Sequence, residues 1–246
     1  MPTVKTFLIA AFVFAVVDGM AVAAVWWAFV VLGRNEYLTV LVLAAYTVSA
    51  LAFTVSTSLI LLGAVTARAV FDDRGTTIRP DRWVDVLQRL TAVAGFLAVA
   101  VFAICHYLGR IDIPLPPGNH QYIVMMATVA ALGGAPSIWS MFARGGLSFQ
   151  KLTPEGFELG QGLSSAHGEW ADVVAISDRK PGKQPPVRAT LFVKFSSGRI
   201  RTQAIDSYTP RGDALRRLVR YYWINPEARD ELTDGRAVER LASYAA

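Results

Sequence analysis

Asp18 is a carboxylate in the middle of an apolar stretch that runs from Phe7 to Leu32. A charge at the centre of a bilayer costs about 2.5–3.5 kcal/mol on insertion scales, so such a residue turns toward protein. Thr54, Ser56, Thr57 and Ser58 fall at a matching depth in the next apolar run. Asp18, Thr54 and Ser58 are therefore a candidate intramembrane polar site. Two chemistries fit it, a proton or cation relay and a structural hydrogen bond. A relay needs several ionisable groups in series, and no other apolar run holds a central one. That absence favours the structural bond.

A second candidate is the basic stretch Asp178–Arg188, in which Arg179, Lys180, Lys183 and Arg188 face one acid. Such a stretch is suited to an anionic lipid headgroup or an acidic partner surface. Cys105-His106 is adjacent in sequence, but the chain has one cysteine and three histidines. A zinc site needs more ligands than that, and a packed thiol beside an interfacial histidine fits better. Gly133-Gly-Ala-Pro136-Ser137 interrupts another apolar run. It predicts a broken helix or packing kink, with Gly133 and Ser137 as a small-residue face.

Other chemistry has no carrier. There is no glycine-rich phosphate loop, nucleophile elbow, His-Glu-x-x-His or paired catalytic carboxylate. Asp18-Gly19 lacks the further aspartates and arginine of the lipid-headgroup transferases whose motif opens the same way. The positive charge forms no stripe with stacking aromatics, so nucleic acid is not an expected partner. No cofactor or metal is expected, and the reading is of a non-enzymatic protein.

The elements that must position these residues come in two kinds. Of 246 residues, 53% are hydrophobic and only 17% charged, against about 25% charged in ordinary soluble domains. Residues 1–143 carry a net charge of +1 and residues 144–246 a net of +4. The first part holds four apolar runs, 7–32, 38–65, 90–108 and 123–142. A bilayer core about 30 Å thick takes roughly 20 helical residues, so residues 1–143 are predicted to form a four-helix transmembrane domain. Ala21-Val22-Ala23 resembles a leader-cleavage site, but the run continues past it to Leu32, which favours a span.

Charge beside the spans orients them. With the N-terminus inside, Lys5, Arg68, Arg74, Arg79, Arg82, Arg144 and Lys151 are cytoplasmic and only Arg34 and Arg110 external. Tyr37, Tyr107 and Tyr122 then mark the outer interface, and Trp83 and Trp139 the inner one. The expectation is a multi-pass plasma-membrane protein with both termini cytoplasmic. The connection 68–83 reads as an inner loop, with Pro80 in the first turn of a helix leading into the third span.

After Gly146 the pattern shortens. Leu147–Lys151, Phe157–Gly160, Trp170–Ser177, Ala189–Phe195 and Arg199–Ile205 read as at least five antiparallel strands. Thr209 reads as a helix cap with Pro210 at the first helical position, and Leu215, Leu218, Val219 and Tyr222 share one face of that helix. The domain is assigned to residues 147–224, with 225–246 as a helical tail frayed near Ala237–Tyr244.

Leu152-Thr-Pro-Glu-Gly-Phe157, Trp170-Ala-Asp172-Val-Val-Ala-Ile176, the Phe192–Arg201 hairpin and the helix from Pro210 resemble the bacterial pleckstrin-homology-like (PH-like) domain. Trp-x-Asp followed by Val or Ile is common in that family's third strand. The resemblance covers about the last hundred residues. It implies a small α+β domain of seven antiparallel strands closed by a C-terminal helix, two strands more than the pattern supplies. The whole layout is similar to actinobacterial integral membrane proteins that join a few membrane helices to such a domain. Its implied role is an anchored scaffold or accessory subunit that binds membrane lipids or a protein partner in a membrane complex. A small transporter or channel built on Asp18 is the alternative, and an unrecognised membrane enzyme the second alternative.

Overall fold

The structure is a computed structural model, and it describes residues 4–111, 113, 118–161, 164–178 and 189–245. Four long helices come from the apolar runs: α1 (Val4–Leu32), α2 (Tyr37–Leu62), α3 (Arg82–Tyr107) and α4 (His120–Ala143). All four are long and apolar enough to cross a membrane. They belong to one compact unit, Met1–Ser58 with Val86–Gly145. The second unit is α+β and is formed by Leu59–Asp85 with Gly146–Ala246.

Within the helical unit, α1 packs on α2 through Ala24, Val31 and Leu43. An edge-to-face contact of Phe14 with Phe53 at 6.5 Å adds to it. Ser49 on α2 donates to the Thr91 carbonyl on α3 at 2.9 Å, where Gly95 leaves room for the hydroxyl. Val42, Phe102, Ala103, Val124 and Ala127 join α2, α3 and α4.

Three boundaries differ from the sequence reading. α2 stops at Leu62 rather than at 65, because Gly63 takes φ +71°. The Gly63 and Ala64 amides then bond back to Ile60 and Leu59, a Schellman end. α3 begins eight residues before 90. Asp81 caps it by accepting from the Trp83 and Val84 amides at 2.8 and 3.3 Å, and Pro80 lies just outside. A helix leading into this span was expected, with Pro80 inside its first turn, and its observed first turn carries the fully buried Val84. α4 is not broken. Pro136 sits inside a continuous helix, as a single missing donor is tolerated in membrane helices. Gly134 rather than Gly133 faces a neighbour, the Phe96 ring.

Among the described residues, the α+β unit holds eight strands. β1 (Arg68–Asp72), β2 (Gly75–Arg79), β3 (Ser148–Leu152), β4 (Gly156–Gln161) and β5 (Ser164–Glu169) form an antiparallel sheet in that order. β6 (Val173–Ser177), β7 (Thr190–Phe195) and β8 (Ile200–Ala204) form a second. β2 and β3 belong to distant parts of the chain, yet they pair with Thr76 opposite Leu152, Thr77 opposite Lys151 and Ile78 opposite Gln150. The connection between α2 and α3 is therefore a hairpin of this sheet, not a free loop. Gly75, at φ +146°, permits the docking, since a Cβ there would collide with the Leu152 carbonyl.

One core joins both sheets to α5 (Asp213–Ile224), α6 (Glu231–Asp234) and α7 (Arg236–Ala245). Ile78, Leu152, Leu191, Leu215, Leu218, Tyr222 and Leu232 are fully buried in it. The expected apolar face of α5 is observed, but its start differs. Thr209 makes no capping bond, and Pro210–Gly212 form a short 3-10 turn before α5. Gly212 precedes α5 at φ +72°, against Ile205, where a Cβ would clash. Residues 225–245 are not a frayed tail. Leu232, Ala237 and Leu241 are core residues, and the folded unit extends beyond the expected 147–224 at both ends.

Candidate functional site

One of the hydroxyls matched to Asp18 by depth meets it. The Thr54 hydroxyl donates to Asp18 Oδ1 at 2.8 Å. Ser58 has no bond to Asp18, and the buried Ser56 hydroxyl turns back onto its own helix, donating to the Phe53 carbonyl at 3.0 Å. Two of the three residues expected at this site are thus brought together. A neutral donor holds one carboxyl oxygen, an arrangement that fits a structural bond. Cys105 is buried, and the His106 ring lies 5.9 Å from Phe102 and 6.5 Å from Tyr107. Arg179, Lys180, Lys183 and Arg188 lie outside the described residues.

The α+β unit contains three polar constellations that sequence reasoning missed. The first is buried and crosses the core. Gln150 on β3 donates from Nε2 to Gln203 Oε1 on β8 at 2.8 Å, and Gln203 Nε2 donates to the Tyr208 hydroxyl at 3.3 Å. This chain ties one sheet to the other. Burial pushes the Tyr208 phenol up to about 12, and bonds with Ser148 and Gln203 offset only part of that rise.

The second constellation surrounds Glu231, at the start of α6. The Arg240 guanidinium donates Nη2 to Oε1 at 2.8 Å and Nε to Oε2 at 3.0 Å, a two-pronged grip, and Tyr222 donates to Oε2 at 3.1 Å. Arg240 also lies 4.0 Å from the centre of the Tyr221 ring. Burial, then the neighbouring carboxylate, raises the Tyr222 hydroxyl well above the usual phenol range. Arg229 does parallel work on the other side of α5. It donates Nε to the Tyr222 carbonyl at 2.9 Å and stands 5.3 Å from the centre of the Trp170 ring. These charges are spent on holding α6 and α7 against the core.

The third is a surface groove of about 400 Å³ along the β3–β4–β5 face. Register sets Lys151 opposite Glu158 and Glu158 opposite His167, so the three cross the sheet in one row. Lys151 pairs with Asp72 at 3.2 Å, and His167 approaches Glu158 at 3.7 Å. Glu155, Glu169 and Asp172 line one end. The groove is negative on balance and open. Among the described residues, no group of three or more His, Cys, Asp or Glu side chains is placed to hold a metal ion.

Trp170–Asp172, read from the sequence as the start of a strand, lie in a turn before β6 instead. Trp170 opens this short 3-10 turn, is 2% exposed, and donates its indole N–H to the Thr153 carbonyl at 2.8 Å. The Phe157 ring lies 5.1 Å away. Compared with known proteins, the chain matches no protein family, no curated protein and no solved structure.

Proposed function

We propose that this protein is a non-enzymatic, membrane-anchored scaffold or accessory subunit. Its α+β unit is a PH-like domain at the cytoplasmic face of the plasma membrane that engages a protein or anionic-lipid partner. The observation that carries the reading is the pairing of β2 with β3. Because of it, the α+β unit is tethered to the helical part after α2, before α3 and after α4. The PH-like reading draws support from the strand arrangement. β2–β5 supply four strands, β6–β8 supply three, and α5 packs its apolar face on both. β1 is one strand more than the resemblance implies.

The same pairing supports the orientation. The α2–α3 connection and the region after α4 share a sheet, so they share a side of the membrane. Seven basic residues flank spans on that side and two on the other, which favours the cytoplasm. Exposed Tyr37, Tyr107 and Tyr122 at one set of helix ends, and Trp83 and Trp139 at the other, suit two interfacial belts. Arg179, Lys180, Lys183 and Arg188 are the proposed contact with anionic headgroups or an acidic partner, on sequence grounds.

The test is extraction of tagged full-length protein in mild detergent, with co-purifying proteins and lipids identified. The reading expects one membrane protein at fixed stoichiometry or enrichment of anionic lipid, reduced when the four basic residues become Ser. Isolation of the chain alone, with no lipid preference, contradicts it. Reporter fusions after Asn35, Asn119 and Ala246 should read outside, outside and inside. An external signal at Ala246 overturns the cytoplasmic placement.

A further inference from the structure

We infer that the open face of α1, with Asp18 at its edge, docks a membrane-spanning helix of another protein that carries a Lys or Arg near mid-membrane. The inference concerns a different surface from the proposed cytoplasmic role and stands or falls separately from it.

Asp18 lies near the centre of the Phe7–Leu32 span. Thr54 supplies one neutral hydrogen bond, to Oδ1. Oδ2 has no donor among the described residues. A carboxylate at this depth pairs with a cation or with further donors. This chain contains no such cation. There is no Lys or Arg between Lys5 and Arg34, none in α2 or α4, and α3 has Arg82 and Arg89 only in its first eight residues. A second copy of the chain has none either, so charge complementarity calls for a different protein.

The geometry of α1 provides a place for it. Asp18 sits on a seam between two faces. Residues on one side turn to α2: Phe14 meets Phe53, and Ala24 and Val31 are buried with Leu43. On the other side Ala11, Ala15, Gly19 and Ala23 recur every four residues, and all four are exposed. A Cβ added at Gly19 would meet nothing within 4 Å. Small residues at this spacing let a second helix backbone approach closely. A helix seated on them would bring a mid-span ammonium or guanidinium to the free oxygen of Asp18.

The test uses full-length protein in lipid vesicles with a synthetic transmembrane Leu/Ala peptide bearing one central Lys. An otherwise identical peptide with a central Leu is the comparison, and association is read by energy transfer. The Lys peptide should bind about tenfold more tightly than the Leu peptide, a difference of about 1.4 kcal/mol. Asp18→Asn should remove the preference and Asp18→Glu should retain it, while Gly19→Leu should weaken Lys-peptide binding. Equal binding of both peptides to the wild type overturns the inference, as does an undiminished preference in Asp18→Asn. Self-association that requires Asp18 would make a second copy the occupant, and an Asp18-dependent proton flux with no peptide preference would make the carboxyl a proton site. Either result also overturns it.

Discussion

The Thr76 hydroxyl, on the strand between the second and third membrane helices, donates to the Leu232 carbonyl near the C-terminus at 2.6 Å. Two residues further along the same strand, Ile78 is fully buried in the core of the α+β unit. A connection between spans thus supplies both a core side chain and a latch for the last helices. Ile78→Ala should lower the stability of the unit by about 2–5 kcal/mol. The shift in urea midpoint of the full chain measures it, and a loss below about 0.5 kcal/mol would place Ile78 on a surface.

Trp170 should matter as much. Its ring is enclosed by Phe157 and Arg229, and its N–H is used. Trp170→Ala is expected to cost about 3–5 kcal/mol. Trp170→Phe should recover part of the packing but leave the Thr153 carbonyl without its donor. A change under about 1 kcal/mol in the alanine variant would indicate an exposed indole.

The Glu231 cluster gives a charge-specific prediction. Arg240→Leu removes both prongs of the grip and leaves a nearly buried carboxylate with only the Tyr222 hydrogen bond and a long ion pair to Arg236 at 4.0 Å. Hydrogen bonds to charged groups contribute about 1.5–3 kcal/mol, which is the loss expected in the thermal or urea midpoint. Replacing Glu231 with Gln in the same chain should restore part of the loss, because the uncompensated charge is gone.

Alkaline pH probes the buried phenols. Tyr208 has a folded-state value pushed up to about 12 by burial, against about 10 for an unfolded tyrosine. The native state therefore holds this proton more tightly than the unfolded chain does. Its contribution is fully present below pH 10 and is lost as pH rises from about 10 toward 12. Tyr222 is raised as well and adds to the same fall. Urea midpoints at stepped pH should drop across this window, and Tyr208→Phe should shrink the drop. A wild-type midpoint flat from pH 9 to 11.5 would mean that both phenols are solvated.

The helical half was legible because one physical demand, about twenty apolar residues in a row, leaves an unmistakable trace. The α5 face was legible from its periodicity. Three strands were not. β5, Ser164–Glu169, has no apolar alternation to announce it. β1 and β2 lie in a charged connection, and their pairing partner is a strand beyond α4, so local sequence carries no sign of it. The C-terminal segment read as frayed because its isolated propensity is modest, and only the packing of Leu232, Ala237 and Leu241 fixes it. Asp18 and Thr54 were matched by depth alone. Ser58 shares a face with Thr54 but lies one turn, about 6 Å, further along the helix, beyond reach of the acid.

The central claim, that the α2–α3 connection is a strand of the C-terminal sheet, has a direct measurement. Thr77 and Lys151 are cross-strand partners, within reach of a disulfide. Both are changed to Cys in a Cys105→Ala background, with a protease site inserted after Gly118. The protein is oxidised in native membranes, solubilised and cleaved. The structure predicts that the two fragments run as one species without reductant and separate when it is added. Fragments that separate without reductant under oxidation would contradict a shared sheet.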